Sequence, residues 1–196
     1  RSNDWIENDS IISNGGAYAD LDNDGWNDLV ITNGYPRDIT NRDFITYRAQ
    51  DFMQQKGIGS NSFDALQKLD GAYLHNFIFK NKKDLHFQDV STDWGFTQNS
   101  YSTGAAYADL DNDGDLDMVV TNTGVPAFVY KNNADSLYHN HFLNIALQGP
   151  EGNKSGYGTK INLYANGLNL YQEHQTIHGY QSSMQDEIHF GLGQAK

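Results

Sequence analysis

Two stretches of this chain carry carboxylates at a spacing with chemical meaning. Asp20, Asp22, Asp24 and Asp28 fall within nine residues, and Asp109, Asp111, Asp113 and Asp117 fall within nine more, each set following D-x-D-x-D-G-x-x-D. Four carboxylates so close repel one another unless a cation stands among them, and alternate positions of a tight loop can turn their oxygens toward one point. A hard divalent ion with loose geometry suits such an oxygen cage, so the expected cofactor is Ca2+, at two sites, ahead of the stricter octahedron of Mg2+. The Gly at the sixth place, Gly25 or Gly114, admits the positive φ of a sharp turn, and Asn23 and Asn112 at the fourth place tolerate the left-handed region. The seventh place is Trp26 in one copy and Asp115 in the other, as expected of a residue that offers only its backbone carbonyl while its side chain varies. An EF-hand loop shares the first half of this pattern but needs a bidentate Glu at position 12, where this chain has Ile31 and Val120.

The elements that must hold these loops are themselves repeated. Residues 13–34 recur 89 residues later as 102–123, with 15 of 22 positions identical, so both stretches are copies of one unit. Each copy reads as strand, loop, strand: a small, aromatic first limb (Gly15 to Ala19; Gly104 to Ala108), then a β-branched second limb (Asp28 to Thr32; Asp117 to Thr121) ending in Asn-Gly or Asn-Thr-Gly turn chemistry. Aromatic runs at 72–80 and 85–90, joined by Asn81 to Asp84, read as a further hairpin, and Ala127 to Asn132 as a third strand after the second loop. Between the second and third strands of the first unit, about 37–70, Phe44, Ile45, Tyr47, Phe52 and Met53 fall at helical intervals, which predicts a short helical insertion. Over 141–196, Leu143, Ile145 and Leu147, and again Ile188, Phe190 and Leu192, alternate with polar residues as half-buried strands do.

Composition narrows the function. The chain has 196 residues, no cysteine and a formal charge of −12, and its acids comprise 21 Asp against only four Glu, a ratio that places acid in turns and loops. Basic residues do not cluster, which argues against a nucleic-acid partner, and no run approaches the roughly 20 apolar residues of a membrane-spanning helix. Thiol chemistry is excluded, and there is no Gly-x-Ser-x-Gly elbow, phosphate-binding loop or His-Glu-x-x-His, so no catalytic residues are assigned and the protein is expected not to be an enzyme. His174 and His178, four apart beside Glu173, form a pair without a third ligand at a persuasive spacing for a transition metal. Trp5, Trp26, Trp94 and Tyr101 are read as core or rim, with stacking on sugar rings as the alternative.

The paired blocks, with their Gly-Ala-Tyr-Ala-Asp lead or its Ala-Ala-Tyr-Ala-Asp variant and the D-x-D-x-D-G-x-x-D loop, resemble FG-GAP/VCBS repeats, the calcium-loop blades of integrin α-subunit-like β-propellers. That resemblance implies side-chain ligation by Asp20, Asp22, Asp24 and Asp28 with the carbonyl of Trp26, and by Asp109, Asp111, Asp113 and Asp117 with the carbonyl of Asp115. The run from Gly156 to Tyr164, with His178 to Ser183 and His189 to Gly193, is similar to the ASPIC/UnbV domain. The expected fold is therefore mainly β: partial β-propeller blades of antiparallel strands with a short helical insertion over residues 1–136, then a small β-rich domain over 137–196. Two blades are fewer than a closed propeller needs and the C-terminal pattern stops early, so the chain is expected to be part of a larger propeller protein. The function so implied is a non-catalytic binding or scaffold module in which calcium is structural, placed outside the cytoplasm, where calcium is plentiful, with a protein or carbohydrate ligand. The alternative is an enzyme, or an accessory domain of one, acting on polysaccharide.

Overall fold

The computed structural model describes residues 13–37, 42, 43, 46 and 70–195. The expected helical insertion at about 37–70 lies almost wholly outside the described residues. What is described is mainly β and antiparallel, as the sequence predicts, with no closed barrel.

The first unit is a meander of β1 (Ser13–Ala19), β2 (Asp28–Asn33), β4 (Phe77–Asn81) and β5 (Phe87–Asp89), hydrogen-bonded in that order. The second is a three-stranded sheet of β7 (Ser102–Ala108), β8 (Asp117–Asn122) and β9 (Phe128–Tyr130). The two loop-bearing hairpins share one register. Ala19 pairs with Asp28 and Gly15 with Thr32 in the first; Ala108 pairs with Asp117 and Gly104 with Thr121 in the second, each with an irregularity two residues from the start. A minor pair, β3 (Leu74–His75) with β6 (Asn99–Ser100), bridges the units.

The small residues of β1 and β7 have a packing reason. A Cβ on Gly15 would stand 2.8 Å from the Thr103 carbonyl oxygen, because the inner strands of the two units lie against each other. Between the units sits the main core, in which Val30, Ile78, Phe96, Met118 and Val120 are buried together and Trp94 and Tyr130 pack on the edge. Burial of such side chains stabilises by about 1.5–3 kcal/mol each relative to exposure. A smaller cluster, Ile31, Phe77 and Phe79, covers the other face of the first sheet.

After β9 comes one short helix, α1 (Ala134–Tyr138), and then the C-terminal segment. There β10 (His141–Ile145) pairs with β15 (Ile188–Gly193), and β11 (Lys160–Ala165) with β12 (Leu168–Glu173) through a two-residue turn with positive φ at Asn166 and Gly167. The strands β13 (Ile177–Gly179) and β14 (Ser182–Ser183) join the first unit instead: Ala17 pairs with Gly179, extending that sheet to six strands. Only a glycine fits at 179, since a Cβ there would stand 2.6 Å from the Gly16 carbonyl oxygen. One expectation is corrected here. β15 does not alternate: Ile188, His189, Phe190 and Gly191 are all buried, because the strand is covered on both faces and His189 turns toward the first acidic loop.

Candidate metal centres

Each acidic loop spans the end of one strand to the start of the next, so its geometry is set within a few residues. Asn23 and Gly25 have φ of 58° and 89°, and Asn112 and Gly114 of 61° and 94°, so the two loops turn in the same way at the residues the sequence singled out. Their internal hydrogen bonds also match. The Gly25 N–H donates to Asp20 Oδ2 at 2.7 Å and the Gly114 N–H to Asp109 Oδ2 at 3.1 Å. Asp28 accepts from the Leu21 N–H at 3.2 Å and Asp117 from the Leu110 N–H at 3.0 Å.

This turn brings the first, second and last carboxylates together. Asp20, Asp22 and Asp28 offer oxygens within 4.8 Å of one another, and so do Asp109, Asp111 and Asp117. Each triad contains a buried oxygen with no hydrogen-bond partner, Asp22 Oδ1 in the first and Asp109 Oδ1 in the second. A buried charged oxygen left unpaired is costly, so both triads fit a small hard cation. Asp24 is turned elsewhere: its Oδ1 accepts from the Trp26 N–H at 3.0 Å, and its Oδ2 faces Lys83 at 3.2 Å. Asp113 accepts from the Asp115 N–H at 3.1 Å and groups with Asp115 and Asp135. Among the described residues no histidine belongs to these clusters of three; His174 faces Asp186 alone, at 3.4 Å.

The seventh position differs between copies in a way the sequence does not show. Trp26 is 41% exposed, whereas the Asp115 side chain is 1% exposed and bonded, accepting from Asn23 Nδ2 at 2.8 Å and from the Asp135 N–H at 2.5 Å. Its side chain is therefore not free to vary: it lies at the junction between the loops.

Two residues beyond the loops serve each triad. In the first, Lys80 of β4 pairs with Asp22, and the Asn81 N–H donates to Asp28 Oδ1 at 2.9 Å. In the second, Lys131 pairs with Asp111 and the Asn132 N–H donates to Asp117 Oδ1 at 2.8 Å. The signal was present in the repeated Phe-x-aromatic-Lys-Asn of the two third strands, Phe77 to Asn81 and Phe128 to Asn132; the closing Lys-Asn stands at different distances from the acids along the chain, and strand pairing, Phe79 with Leu29 and Tyr130 with Met118, brings both to the same place.

Protonation follows burial. Asp28 is pushed up to about 8 and Asp20 to about 7 by loss of solvent, against the opposing pull of the Asn81 and Gly25 N–H groups. Asp22 is raised for the same reason, with Lys80 opposing. Asp111, at the surface, is lowered by its bond to Lys131. Asp115 rises to about 6 through burial, and burial pulls His189 down to about 4, leaving a neutral ring at pH 7.

Comparison with known families now bears on both halves. Residues 67–120 match the family model of the FG-GAP-like repeat, and residues 149–196 match that of ASPIC and UnbV. The first match contains the second acidic loop and the strands that close the first unit; the first acidic loop lies outside it but is the internal copy of the loop inside it. No curated protein matches the chain. The chain thus carries an FG-GAP-like repeat region followed by an ASPIC and UnbV region.

Proposed function

We propose that this protein is a calcium-binding, non-catalytic binding or scaffold module that works outside the cytoplasm, with two structural Ca2+ ions held by its paired loops. The observation that carries this reading is the pair of acidic triads, each with a buried carboxylate oxygen lacking a partner. In it, Asp20, Asp22 and Asp28 hold one ion and Asp109, Asp111 and Asp117 the other, with Asp24, Asp113 and the carbonyls of Trp26 and Asp115 completing the shells. The ion supplies counter-charge, and the chain supplies oxygens fixed by the backbone bonds of each loop. Because the folded loops bind and the unfolded chain does not, each site adds about 1.4 kcal/mol when free calcium stands tenfold above its dissociation constant. Extracellular modules reach that regime at about millimolar calcium, while cytosolic calcium is too scarce, which favours a location outside the cytoplasm. No helix among the described residues is long and apolar enough to cross a membrane. The ligand is proposed to be a protein or a carbohydrate, with the exposed Tyr164, Tyr171 and Tyr180 of the C-terminal segment available for contact.

Calorimetric titration of the metal-free protein tests the reading. Two calcium ions bound per chain, with magnesium much weaker and the melting temperature falling on chelation, are expected. A melt that ignores both calcium and chelator would overturn it.

A further inference from the structure

The β10–β15 pair of the C-terminal segment lies across both acidic loops, and its contacts with the first are made at the loop itself. The Gly193 N–H donates to the Asn23 carbonyl oxygen at 2.8 Å. His189 Nε2 meets Asn23 Oδ1 at 2.5 Å, and its Nδ1 meets the Asn144 side-chain amide at 2.7 Å. At Gly191 a Cβ would stand 2.6 Å from Asn23 Cα and closer still to Asp20 Oδ2, so the strand rests on the backbone and first carboxylate of the triad. Asn140, one residue before β10, donates to the Asp22 carbonyl oxygen at 2.8 Å. Over the second loop, the Phe142 ring covers Gly114 and stacks on His189 with centroids 5.8 Å apart. Asn23 joins the two loops as well, its Nδ2 donating to the Gly114 carbonyl oxygen at 3.1 Å and to Asp115 Oδ1 at 2.8 Å.

We propose that the β10–β15 pair is a cation-dependent latch: Asn23 reports the shape of the first acidic loop to His189 and Gly193, so that filling the loop clamps the C-terminal segment onto the repeat units and emptying it loosens the clamp. This rests on the metal-binding reading above. With no ion, Asp22 Oδ1 is buried without a partner, which favours an opening of the loop that brings water to it, and such an opening moves Asn23 and Asp20 out of register with β15. With the ion bound, the loop is held in the one shape that satisfies all four partners of Asn23: Gly193, His189, Gly114 and Asp115. Linkage makes the effect reciprocal: the factor by which the cation favours the closed latch is the factor by which the closed latch favours the cation, although neither Asn23 nor His189 offers a side-chain ligand. The second loop supplies an internal control, since Asn112 occupies the same place with the same backbone conformation but an exposed side chain.

Hydrogen exchange on the full chain, with and without calcium, tests the latch. Calcium is expected to slow exchange of the Ile188–Gly193 amides at least tenfold. Calcium titration of Asn23→Ala in an Asp111→Asn background, which isolates the first site, is expected to show an affinity about tenfold lower. Asn112→Ala, measured for the second site, should change affinity less than threefold, and His189→Gln, which keeps a side-chain N–H, should fall between. If no calcium binds at all, the metal reading fails and the latch with it. Calcium that binds at two sites without protecting residues 188–193 overturns the latch alone, as does an Asn23→Ala protein of unchanged affinity. The exchange measurement needs no variant, so it decides even if Asn23→Ala does not fold.

Discussion

The two acidic loops share their ligand pattern, register and backbone turns, yet live in different surroundings. In the first, Asp20, Asp22, Asn23 and Asp28 are all buried, and Leu21 belongs to the main core. In the second, Asp111, Asn112 and the counterpart Leu110 are exposed, and burial is confined to the far side of the turn, where Phe142 lies over Gly114 and Asp115 meets Asn23. The first loop is enclosed by the second unit and by β15, while the second stands at an open edge beside α1. The shape of each acidic cluster is therefore a local property of nine residues, but the cost of bringing its charges together depends on what the rest of the chain packs around it. Identical acids in water need little help, whereas the same acids under the β10–β15 pair need a cation, a lysine or a proton.

The largest expected effect follows from those protons. Between about pH 4 and pH 8 the folded first loop holds protons that the unfolded chain has already released, because Asp20 and Asp28 rise to about 7 and about 8 from an ordinary 3.8. Their contribution to stability is full below pH 4 and is lost as pH climbs through 7 and 8. Metal-free protein should therefore melt progressively lower from pH 5 to pH 9, saturating calcium should flatten that slope, and Asp28→Asn should remove much of it. A metal-free melting temperature that rises across the same range would break the contrast between the loops.

Next in size is the packing of the cover. Gly191→Ala forces a methyl group into the first loop's backbone and should cost about 3 kcal/mol, read from urea melting, because neither neighbour can yield. Gly114→Ala also meets a steric obstacle and a φ of 94°, but the obstacle is the partly exposed Phe142 ring, which can swing aside, so its cost should be nearer the 1–2 kcal/mol of the left-handed backbone. Equal costs would mean that β15 covers the first loop no more firmly than Phe142 covers the second.

The smallest effect separates the lysines. Lys80 is partly buried against the fully buried Asp22, with its Nζ also 5.3 Å from the centre of the Tyr138 ring, so Lys80→Met should destabilise metal-free protein by about 1 kcal/mol and calcium-loaded protein by less. Lys131→Met, at the exposed loop, should leave the melt unchanged. A loss at Lys131 matching that at Lys80 would show that the difference in burial between the loops does not govern their electrostatics.

Much of this was legible in the chain itself. The repeat at a spacing of 89 residues predicted two hairpins of one register, the Asn and Gly positions predicted where each loop turns through positive φ, and the first, second and last acids of each motif meet as that turn requires. These features depend on residues within one hairpin, so their geometry is contained in the local sequence. What the sequence could not disclose is which loop would be covered. Asn23 and Asn112 are the same residue in the same motif, and only folding places Asn23 against Asp115 and His189, 92 and 166 residues away along the chain. The alternation that marked β15 as half-buried failed for the same reason, because the polar face of that strand meets a buried asparagine and not water. Likewise β13 carries no sign that it completes the sheet of the first unit, since an edge strand offers the same backbone groups whatever comes to pair with it. Local spacing determined where the carboxylates converge; long-range packing decided how deeply each cluster is buried and which strands lie against it.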